Sequence, residues 1–202
     1  MNIAVFASGR GSNLEAVYSK IQAGEIQAKI KCLISNNPEA PALEFAKKNG
    51  ISAVAIDIKS VASTKQFLKI LEDNKISLIV LAGYMKLIPN EVVERFPNKI
   101  INIHPALLPA FGGKGCYGMN VHKKVIKSGV KYTGATVHFV NNNYDEGQII
   151  AQEIVSLLPD DTPEDIAQRV LKVEHKLLPQ VVKKICENQL VWENNKPWIK
   201  TF

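Results

Sequence analysis

Strands and helices alternate along the first hundred residues, and this alternation limits the possible folds more than any other feature. Apolar stretches with strand character are separated by segments with the 3.6-residue spacing of helices. The predicted strands cover residues 2–7, 30–35, 52–57, 77–83 and 99–104, and the predicted helices cover 13–23, 39–49, 61–74 and 89–96. Because these strands are apolar on both faces, they predict an α/β fold with an open, doubly wound, mostly parallel sheet covered by helices.

The alternation stops after residue 104, where a different kind of segment begins. Residues 105–118, PALLPAFGGKGCYG, are rich in proline and glycine and have no hydrophobic period, so they predict a long loop. Loops of this length in compact domains are usually functional or mobile. The next predicted elements are a helix over 119–128 and an antiparallel hairpin of strands 133–140 and 148–156.

A long helix is expected near the end of the chain. Thr162 is placed to cap it, with Pro163 at its first position and Asp165 in its first turn. Pro179 lies inside this helix and is expected to kink it. The last segment, LVWENNKPWIKTF (190–202), is expected to add a short edge strand. The length of 202 residues, with no internal repeat or linker, predicts a single domain.

Composition excludes several classes of protein. The N-terminus lacks the basic segment of a signal peptide, and no apolar stretch approaches the roughly 20 residues of a membrane span. The three cysteines are far apart and form no CxxC pair, so neither a disulfide framework nor a zinc site is expected. The net charge is +6, but the lysines are scattered and not interleaved with aromatic residues. We therefore expect a cytoplasmic protein that binds small anionic substrates, and neither nucleic acid nor membrane.

The segment SGRGSN, residues 8–13, joins the first predicted strand to the first helix. Its two glycines allow the backbone to curl, and the helix N-terminus offers N–H groups to an anion. The dinucleotide fingerprint requires a glycine where this chain has Leu14, and the Walker sequence GK[ST] is missing. NAD and ATP are therefore disfavoured, whereas a phosphate ester is compatible. A tight turn in which Ser12 or Asn13 caps the helix explains the same residues.

Two further segments follow strands at the same edge of the predicted sheet. In AGYMKLIP, residues 82–89, Met85 and Leu87 either line an apolar slot for a flat ligand or, as their residue type favours, belong to the core. Asn102 and His104 lie two residues apart in the fifth strand, so they point to the same side. Together they either donate two hydrogen bonds to one oxyanion, as acyl-type transfer requires, or form a structural pair.

Other polar residues also admit more than one interpretation. Asp145, in the turn YDEG, is either a turn former or a carboxylate that holds His104 protonated and accepts a proton from a nucleophile. His138 is interpreted as a packed or hydrogen-bonded histidine. Glu174 and His175 are interpreted as a solvated pair on the long helix. No group of histidine, cysteine and aspartate has metal-binding spacing, so no metal is expected.

Taken in order, seven segments of the chain resemble the phosphoribosylglycinamide formyltransferase family, the folate-dependent glycinamide ribonucleotide transformylases. They are SGRGSN, ISN, LAGYMKLIP, NIHPALLP, TGATVHFV, DEGQIIAQ and VEHKLLP, within about residues 2–187. The resemblance implies a Rossmann-like formyltransferase fold with a C-terminal antiparallel hairpin and long helix. It also implies transfer of the formyl group of 10-formyltetrahydrofolate, the cosubstrate, to the amine of N1-(5-phosphoribosyl)glycinamide in purine (IMP) biosynthesis, without metal or NAD.

The resemblance assigns roles to individual residues. Asn102, His104 and Asp145 match the family's catalytic trio. The first two would stabilise an oxyanion, and Asp145 would keep His104 charged and relay a proton from the substrate amine, which is itself the nucleophile. The positions that match the ribonucleotide site are Gly11, Ser12, Asn13 and Glu174. The positions that match the folate site are Lys65, Met85, Lys86, Leu87, Ile88, Asn102, Asn141, Tyr144 and Asp145.

The resemblance also divides the single domain, 1–202, and shows two departures from the family's usual pattern. The implied parts are a phosphate-binding half (1–100), a catalytic and folate-binding half (101–187) and a tail (188–202). In the loop AFGGKGCYGMNVH only the last of the family's histidines is kept, as His122. Lys86 stands where arginine is common, so a point charge replaces a bidentate contact there.

Other formyl-transferring enzymes share the segment NIHPxLLP, so alternatives are kept open. A formyltetrahydrofolate deformylase is expected to carry an N-terminal regulatory domain, and a methionyl-tRNA formyltransferase a C-terminal domain for tRNA. A nucleotide-binding module without catalysis is disfavoured by the joint presence of Asn102, His104 and Asp145. From the chain's length we expect the purine transformylase, acting as a monomer or homodimer.

Overall fold

The computed structural model describes residues 1–56 and 61–200 and divides into two compact units, Met1–Asn102 and Ile103–Phe202. Asp57, the last residue of the predicted third strand, and residues 201–202 of the predicted tail lie outside the described residues. Within the described ranges, no helix combines the length and the apolar character needed to cross a bilayer.

The first unit alternates strands with helices, as its sequence predicts. Its strands are β1 (Asn2–Phe6), β2 (Lys29–Ser35), β3 (Ser52–Ala55), β4 (Leu78–Leu81) and β5 (Ile100–His104), the last of which crosses the boundary between the units. Its helices are α1 (Ser12–Gln22), α2 (Pro41–Lys48), α3 (Val61–Asp73) and α4 (Asn90–Arg95). The strand pairs β1–β2, β1–β4, β2–β3 and β4–β5 are all parallel.

The second unit is built on an antiparallel hairpin and a long helix. Its elements are α5 (Met119–Ser128), β6 (Tyr132–Phe139), β7 (Ile149–Ser156), α6 (Pro163–Cys186), β8 (Leu190–Glu193) and β9 (Lys196–Ile199). Strands β6 and β7 pair antiparallel, with a register shift between Val137 and His138. Strands β8 and β9 form a separate two-stranded antiparallel sheet, so the predicted single edge strand is in fact a small hairpin.

In the described residues the main sheet has seven strands in the order β3-β2-β1-β4-β5-β6-β7. The predicted open, mostly parallel α/β sheet with a C-terminal hairpin and long helix is therefore confirmed. The direction in which the chain adds strands reverses between β1 and β4. In open α/β sheets, ligands bind beyond the carboxyl ends of the strands at such a reversal.

The core of the first unit explains why its strands are apolar on both faces. Ile3, Val5 and Phe6 of β1 are fully buried, and every residue of β4 is buried. The Phe6 ring stacks on Phe67 of α3 with centroids 4.9 Å apart. Burial of one such side chain contributes about 1.5–3 kcal/mol. The carboxyl ends of β1 and β4 are thus held on a rigid base.

The long helix begins as the sequence predicts. The Thr162 hydroxyl accepts a hydrogen bond from the Asp165 backbone N–H, and the Asp165 carboxylate accepts one from the Thr162 N–H, so the two residues form a capping box. Pro163 occupies the first turn, where its missing N–H costs nothing. The helix runs through Pro179 to Cys186.

Candidate active site

The loop after β1 ends at Gly11, which caps α1 with a left-handed backbone (φ +85°). No side chain caps this helix, so the interpretation of Ser12 or Asn13 as its cap is wrong. A Cβ atom at Gly11 would lie 2.7 Å from the Cβ of Ala42, so both the backbone and the packing against α2 require glycine. The first turn of α1 therefore presents backbone N–H groups suited to an anion.

The loop after β4 carries the residues predicted to contact folate. Met85 is 47% exposed, so its interpretation as a core residue is wrong. The physical reason is that β4 ends at Leu81 and the chain has left the sheet before Met85. Lys86 is also exposed and Leu87 is half-buried, whereas Ile88 is buried in the core. Ile88 thus anchors a segment whose other side chains are available to a ligand.

The end of β5 places Asn102 and His104 on one side of the strand, because alternate residues of a strand share a face. Asn102 is half-buried and His104 is only 3% exposed. The His104 Nε2 lies 3.0 Å from the carbonyl oxygen of Phe111. A carbonyl oxygen can only accept a hydrogen bond, so Nε2 carries a proton and donates a hydrogen bond to the Phe111 carbonyl.

Asp145 lies between two buried imidazole rings. Its Oδ2 is 3.6 Å from His104 Nδ1, and its Oδ1 is 3.7 Å from His138 Nε2. The Gly113 backbone N–H donates to Oδ2 at 2.9 Å. Asp145 has a left-handed backbone (φ +58°), a conformation that aspartate tolerates better than most residues. The turn after β6 thus returns its carboxylate to the end of β5.

In each of the two imidazole rings, one nitrogen donates a hydrogen bond to a backbone carbonyl and the other nitrogen faces Asp145. His104 donates from Nε2 to Phe111, and His138 donates from Nδ1 to the carbonyl of Phe139 at 2.7 Å. In the neutral His104 ring the nitrogen that faces Asp145 therefore holds a lone pair. Protonation of His104 adds an N–H aimed at the carboxylate. His104, Asp145 and His138 are called the proton cluster below.

Electrostatics in the proton cluster act in opposing directions. Burial lowers the pKa of His104 below its ordinary value, although the Asp145 charge and the Phe111 carbonyl oppose this. Burial acts to raise the pKa of Asp145, but the contact with His138, the charge of His104 and the Gly113 N–H together bring it below its ordinary value. The carboxylate is therefore ionised near neutral pH. The Asp145 charge acts to raise the pKa of His104, but burial lowers this pKa by more.

The segment that carries Phe111 and Gly113 is itself held by Thr136 of β6. The Thr136 hydroxyl donates to the Ala106 carbonyl at 2.7 Å and accepts from the Leu108 N–H at 3.1 Å. The side-chain amide of Gln152 in β7 donates to the Leu108 carbonyl at 2.9 Å. The hairpin therefore positions the first part of the long loop, and with it the partners of His104 and Asp145.

Two histidines of the site were not assigned a role from the sequence. His138 is 2% exposed and faces Asp145. The turn between β6 and β7 brings the two residues together, so the spacing of residues within either segment does not predict the contact. His122 on α5 is 5% exposed, and its Nδ1 has no hydrogen-bond partner within residues 1–56 and 61–200. Burial, and then the charge of His104, lower the pKa of His122. The signal that points to both residues is a buried histidine near another titratable group.

The remaining predicted site residues lie in varied environments. Glu174 is 8% exposed on α6, so its interpretation as part of a solvated pair is wrong: the helix turns this carboxylate toward the packed side. Lys65 is exposed on α3, and Asn141 and Tyr144 are exposed in the turn after β6. The Asn141 side chain accepts a hydrogen bond from the Asn143 N–H, which stabilises that turn.

A cavity of about 1100 Å³ in the second unit is lined by Asp145 among other residues. Its lining also includes Gly112, Gly113, Tyr144 and residues 196–199 of the β8–β9 hairpin. Among the residues that the structure describes, no group of three or more histidine, cysteine, aspartate or glutamate side chains is arranged to hold a metal ion.

Comparison with solved structures shows the same fold in formyl-transferring enzymes. A glycinamide ribonucleotide transformylase from Symbiobacterium toebii is similar with a TM-score of 0.90 and 36% identity, over 98% of this chain and 93% of that one. A formyltetrahydrofolate deformylase from Pseudomonas syringae pv. tomato is similar with a TM-score of 0.88 over 65% of its length. Its identity is 24%, so this second likeness concerns the fold alone.

Comparison with sequences identifies the family. A phosphoribosylglycinamide formyltransferase of Arabidopsis thaliana, named as chloroplastic, is 43% identical over 98% of this chain and 70% of its own length. The enzyme of that name from Bacillus subtilis is 39% identical over 96% of both chains. The model of the formyl transferase family matches residues 1–182. This chain therefore belongs to the formyl transferase family.

Proposed function

We propose that this protein transfers the formyl group of 10-formyltetrahydrofolate to the amine of N1-(5-phosphoribosyl)glycinamide, which gives the N-formyl ribonucleotide and tetrahydrofolate. Two observations support the proposal. The relatives that match nearly the whole chain are named for this reaction. The proton cluster, with Asn102 two residues before His104, is suited to a reaction that creates an oxyanion and moves a proton. The cluster is the observation that carries the mechanism.

The first chemical step is attack of the neutral substrate amine on the formyl carbon. A carbon–nitrogen bond forms, and the carbonyl electron pair moves onto the formyl oxygen. The Asn102 amide and the Nε2–H of His104 donate hydrogen bonds to this oxyanion, and the Nε2–H gives up its bond to the Phe111 carbonyl to do so. Because negative charge beside an imidazole raises its pKa, His104 takes up a proton from solvent at Nδ1 as the oxyanion develops and releases it when the oxyanion collapses. The Asp145 carboxylate then pairs with the second N–H of the ring.

The second step expels tetrahydrofolate. The amine nitrogen loses a proton, the bond between the formyl carbon and the folate nitrogen breaks, and that nitrogen gains a proton. Asp145 relays the proton directly or through water, and an ionised carboxylate is the form needed to accept it. The nucleophile belongs to the substrate, so the mechanism requires no covalent enzyme intermediate.

Substrate binding is proposed for the loops beyond β1 and β4. Gly11, Ser12 and Asn13 bind the ribonucleotide phosphate through the first N–H groups of α1. Met85 to Ile88 bind the folate, because this segment presents one exposed and one half-buried apolar side chain beside a lysine.

Further contacts are proposed for residues on other elements. Glu174 binds the ribonucleotide, and Lys65, Asn141 and Tyr144 contact the folate. The protein is proposed to act as a single catalytic domain in the cytoplasm, as a monomer or homodimer, on small molecules and not on nucleic acid. It uses neither a metal nor NAD in this account.

A folate-product assay with and without the ribonucleotide tests the proposal. Tetrahydrofolate is followed by its absorbance, with 10-formyltetrahydrofolate held constant and glycinamide ribonucleotide present or omitted. Product that forms only when the amine is present supports the transferase. Equal turnover without the amine would mean that water is the acceptor and that the protein is a deformylase.

A further inference from the structure

Ser8, the second residue after β1, is connected to the segments after two other strands through one hydroxyl group. Its Oγ accepts a hydrogen bond from the Met85 backbone N–H at 2.8 Å and donates to the Asn36 side-chain oxygen at 2.5 Å. Its backbone N–H donates to the Gly83 carbonyl at 3.0 Å. The residue is 9% exposed, so these groups have little access to water as an alternative partner.

These contacts lie where the order of the strands reverses. Ser8 follows β1, Asn36 follows β2, and Met85 follows β4. Ser8 lies in the loop that reaches Gly11 at the cap of α1, while Met85 begins the segment proposed for the folate. A single hydroxyl thus joins the loop proposed for the ribonucleotide phosphate to the loop proposed for the folate.

We propose that Ser8 is a positioning residue that fixes the folate-binding segment, Met85 to Ile88, in its binding conformation. The proposal rests on the proposed function, because that function assigns folate to this segment. Ser8 acts through the Met85 backbone and not by touching substrate. Loss of its hydroxyl should therefore weaken folate binding and leave the chemical step intact.

The chemistry of the position limits which side chains can do this. The role requires one atom that accepts from an N–H and simultaneously donates to an amide oxygen, and a hydroxyl does both. Alanine leaves the Met85 N–H and the Asn36 oxygen without their partner, and an unmade hydrogen bond in a nearly buried site is costly. Threonine keeps the hydroxyl. Loss of such a bond corresponds to about three- to tenfold in affinity, which is about 0.6–1.4 kcal/mol.

Ser35 provides a matched control within the same unit. It is fully buried at the end of β2, and its hydroxyl bonds only the backbone of Asn37 in the described residues, donating to the carbonyl and accepting from the N–H. Ser35→Ala therefore removes a hydroxyl that is more buried than that of Ser8 and forms no hydrogen bond to Met85 in the described residues. Its kinetics show the effect of losing a buried hydroxyl that has only a structural role.

The experiment compares steady-state kinetics of Ser8→Ala, Ser8→Thr and Ser35→Ala with hydrogen exchange of the Met85 amide. For Ser8→Ala we expect the KM for 10-formyltetrahydrofolate to rise about three- to tenfold, with kcat and the KM for the ribonucleotide within about twofold. Exchange at Met85 should accelerate, and Ser8→Thr should retain most of the affinity. Ser35→Ala should leave the folate KM and the Met85 exchange unchanged.

An unchanged folate KM in Ser8→Ala, or a change equal to that of Ser35→Ala, would overturn the proposal. If Ser8→Ala does not fold, Asn36→Ala answers the same question, because it removes the acceptor that orients the hydroxyl; a folate KM unchanged there would also count against it. Failure of the proposed function is distinguishable, because the wild-type protein would then form no formylated ribonucleotide at all.

Discussion

The Nδ1 of His104 lies 3.6 Å from the Asp145 carboxylate, while Nε2 of the same ring donates to the Phe111 carbonyl. The neutral ring therefore faces a negative charge with a lone pair, and only the imidazolium can donate to both partners. Since burial lowers the pKa of His104, the charged form is held back in the resting protein. An oxyanion beside the ring raises the pKa of His104 and so stabilises the charged form. The site is thus arranged to gain a hydrogen bond at the moment when charge develops.

Asp145→Asn is predicted to lower kcat by at least about 10²-fold, because the amide can neither accept the proton nor stabilise the imidazolium. Folding should change little, since the amide oxygen can still accept from the Gly113 N–H. The neighbouring variant Glu146→Gln is the control, as Glu146 is exposed and bonds the Asn143 side chain. Turnover of Asp145→Asn within a few-fold of the control would contradict the role assigned to Asp145.

His138→Asn is predicted to move the acidic limb of the kcat/KM–pH profile to higher pH. The contact with His138 is the strongest of the influences that lower the pKa of Asp145, so its loss raises that pKa. A larger fraction of Asp145 is then protonated, and inactive as a base, at a given acidic pH. The profile is measured with both substrates at low concentration. An acidic limb that stays in place, or moves to lower pH, would show that His138 does not tune Asp145.

Stability is predicted to fall as the solution becomes acidic, because two buried histidines must take up protons. The pKa values of His104 and His122 are lowered in the folded protein from an ordinary value of 6.5. Below about pH 6.5 the unfolded chain therefore binds more protons. The stability from the neutral rings is complete above that pH and is lost as the pH falls through their folded-state pKa values. Each proton contributes a slope of up to about 1.4 kcal/mol per pH unit.

Urea unfolding between pH 5 and 8 measures this slope. His122→Asn should make the dependence on pH shallower than in the wild-type protein, because one of the two titrating rings is removed. A free energy of unfolding that does not change between pH 7 and pH 5 would mean that the buried rings are protonated at no cost, against the burial seen here.

Gly11→Ala is predicted to cost about 1–3 kcal/mol of stability and to raise the KM for the ribonucleotide. The backbone at Gly11 is left-handed, and the added Cβ would meet the Ala42 Cβ at 2.7 Å. Gly9→Ala in the same loop is the control, because a Cβ there has no atom within 4 Å. Thermal unfolding and ribonucleotide titration of both variants check the prediction. Equal behaviour of the two variants would contradict it.

The fold was largely predictable because burial on both faces of a strand leaves a local pattern. Apolar runs such as those of β1 and β4, in alternation with helices, indicated a covered parallel sheet, and Thr162 and Asp165 indicated the start of α6. The tail was predicted less well. Its hairpin depends on turn residues such as Asn194 and Asn195, both with left-handed backbones, within a short segment of weak periodicity.

The site was predictable where strand geometry fixes neighbours and unpredictable where tertiary packing does. Asn102 and His104 share a face by their spacing, and the pairing of His104 with Asp145 matched the expected contact. His138 joins them only because the chain turns back after β6. Met85 is exposed and Glu174 is buried, each against the preference of its residue type, because loop direction and helix packing outweigh residue type at these positions.

The most direct test of the account follows the formyl carbon itself. The protein is given 10-formyltetrahydrofolate labelled with 13C in the formyl group together with glycinamide ribonucleotide, and the products are identified by mass spectrometry. We predict one labelled N-formyl ribonucleotide for each tetrahydrofolate formed, and a rate at least about 10²-fold lower in His104→Ala. Label recovered as free formate, or unchanged transfer by His104→Ala, would contradict the account.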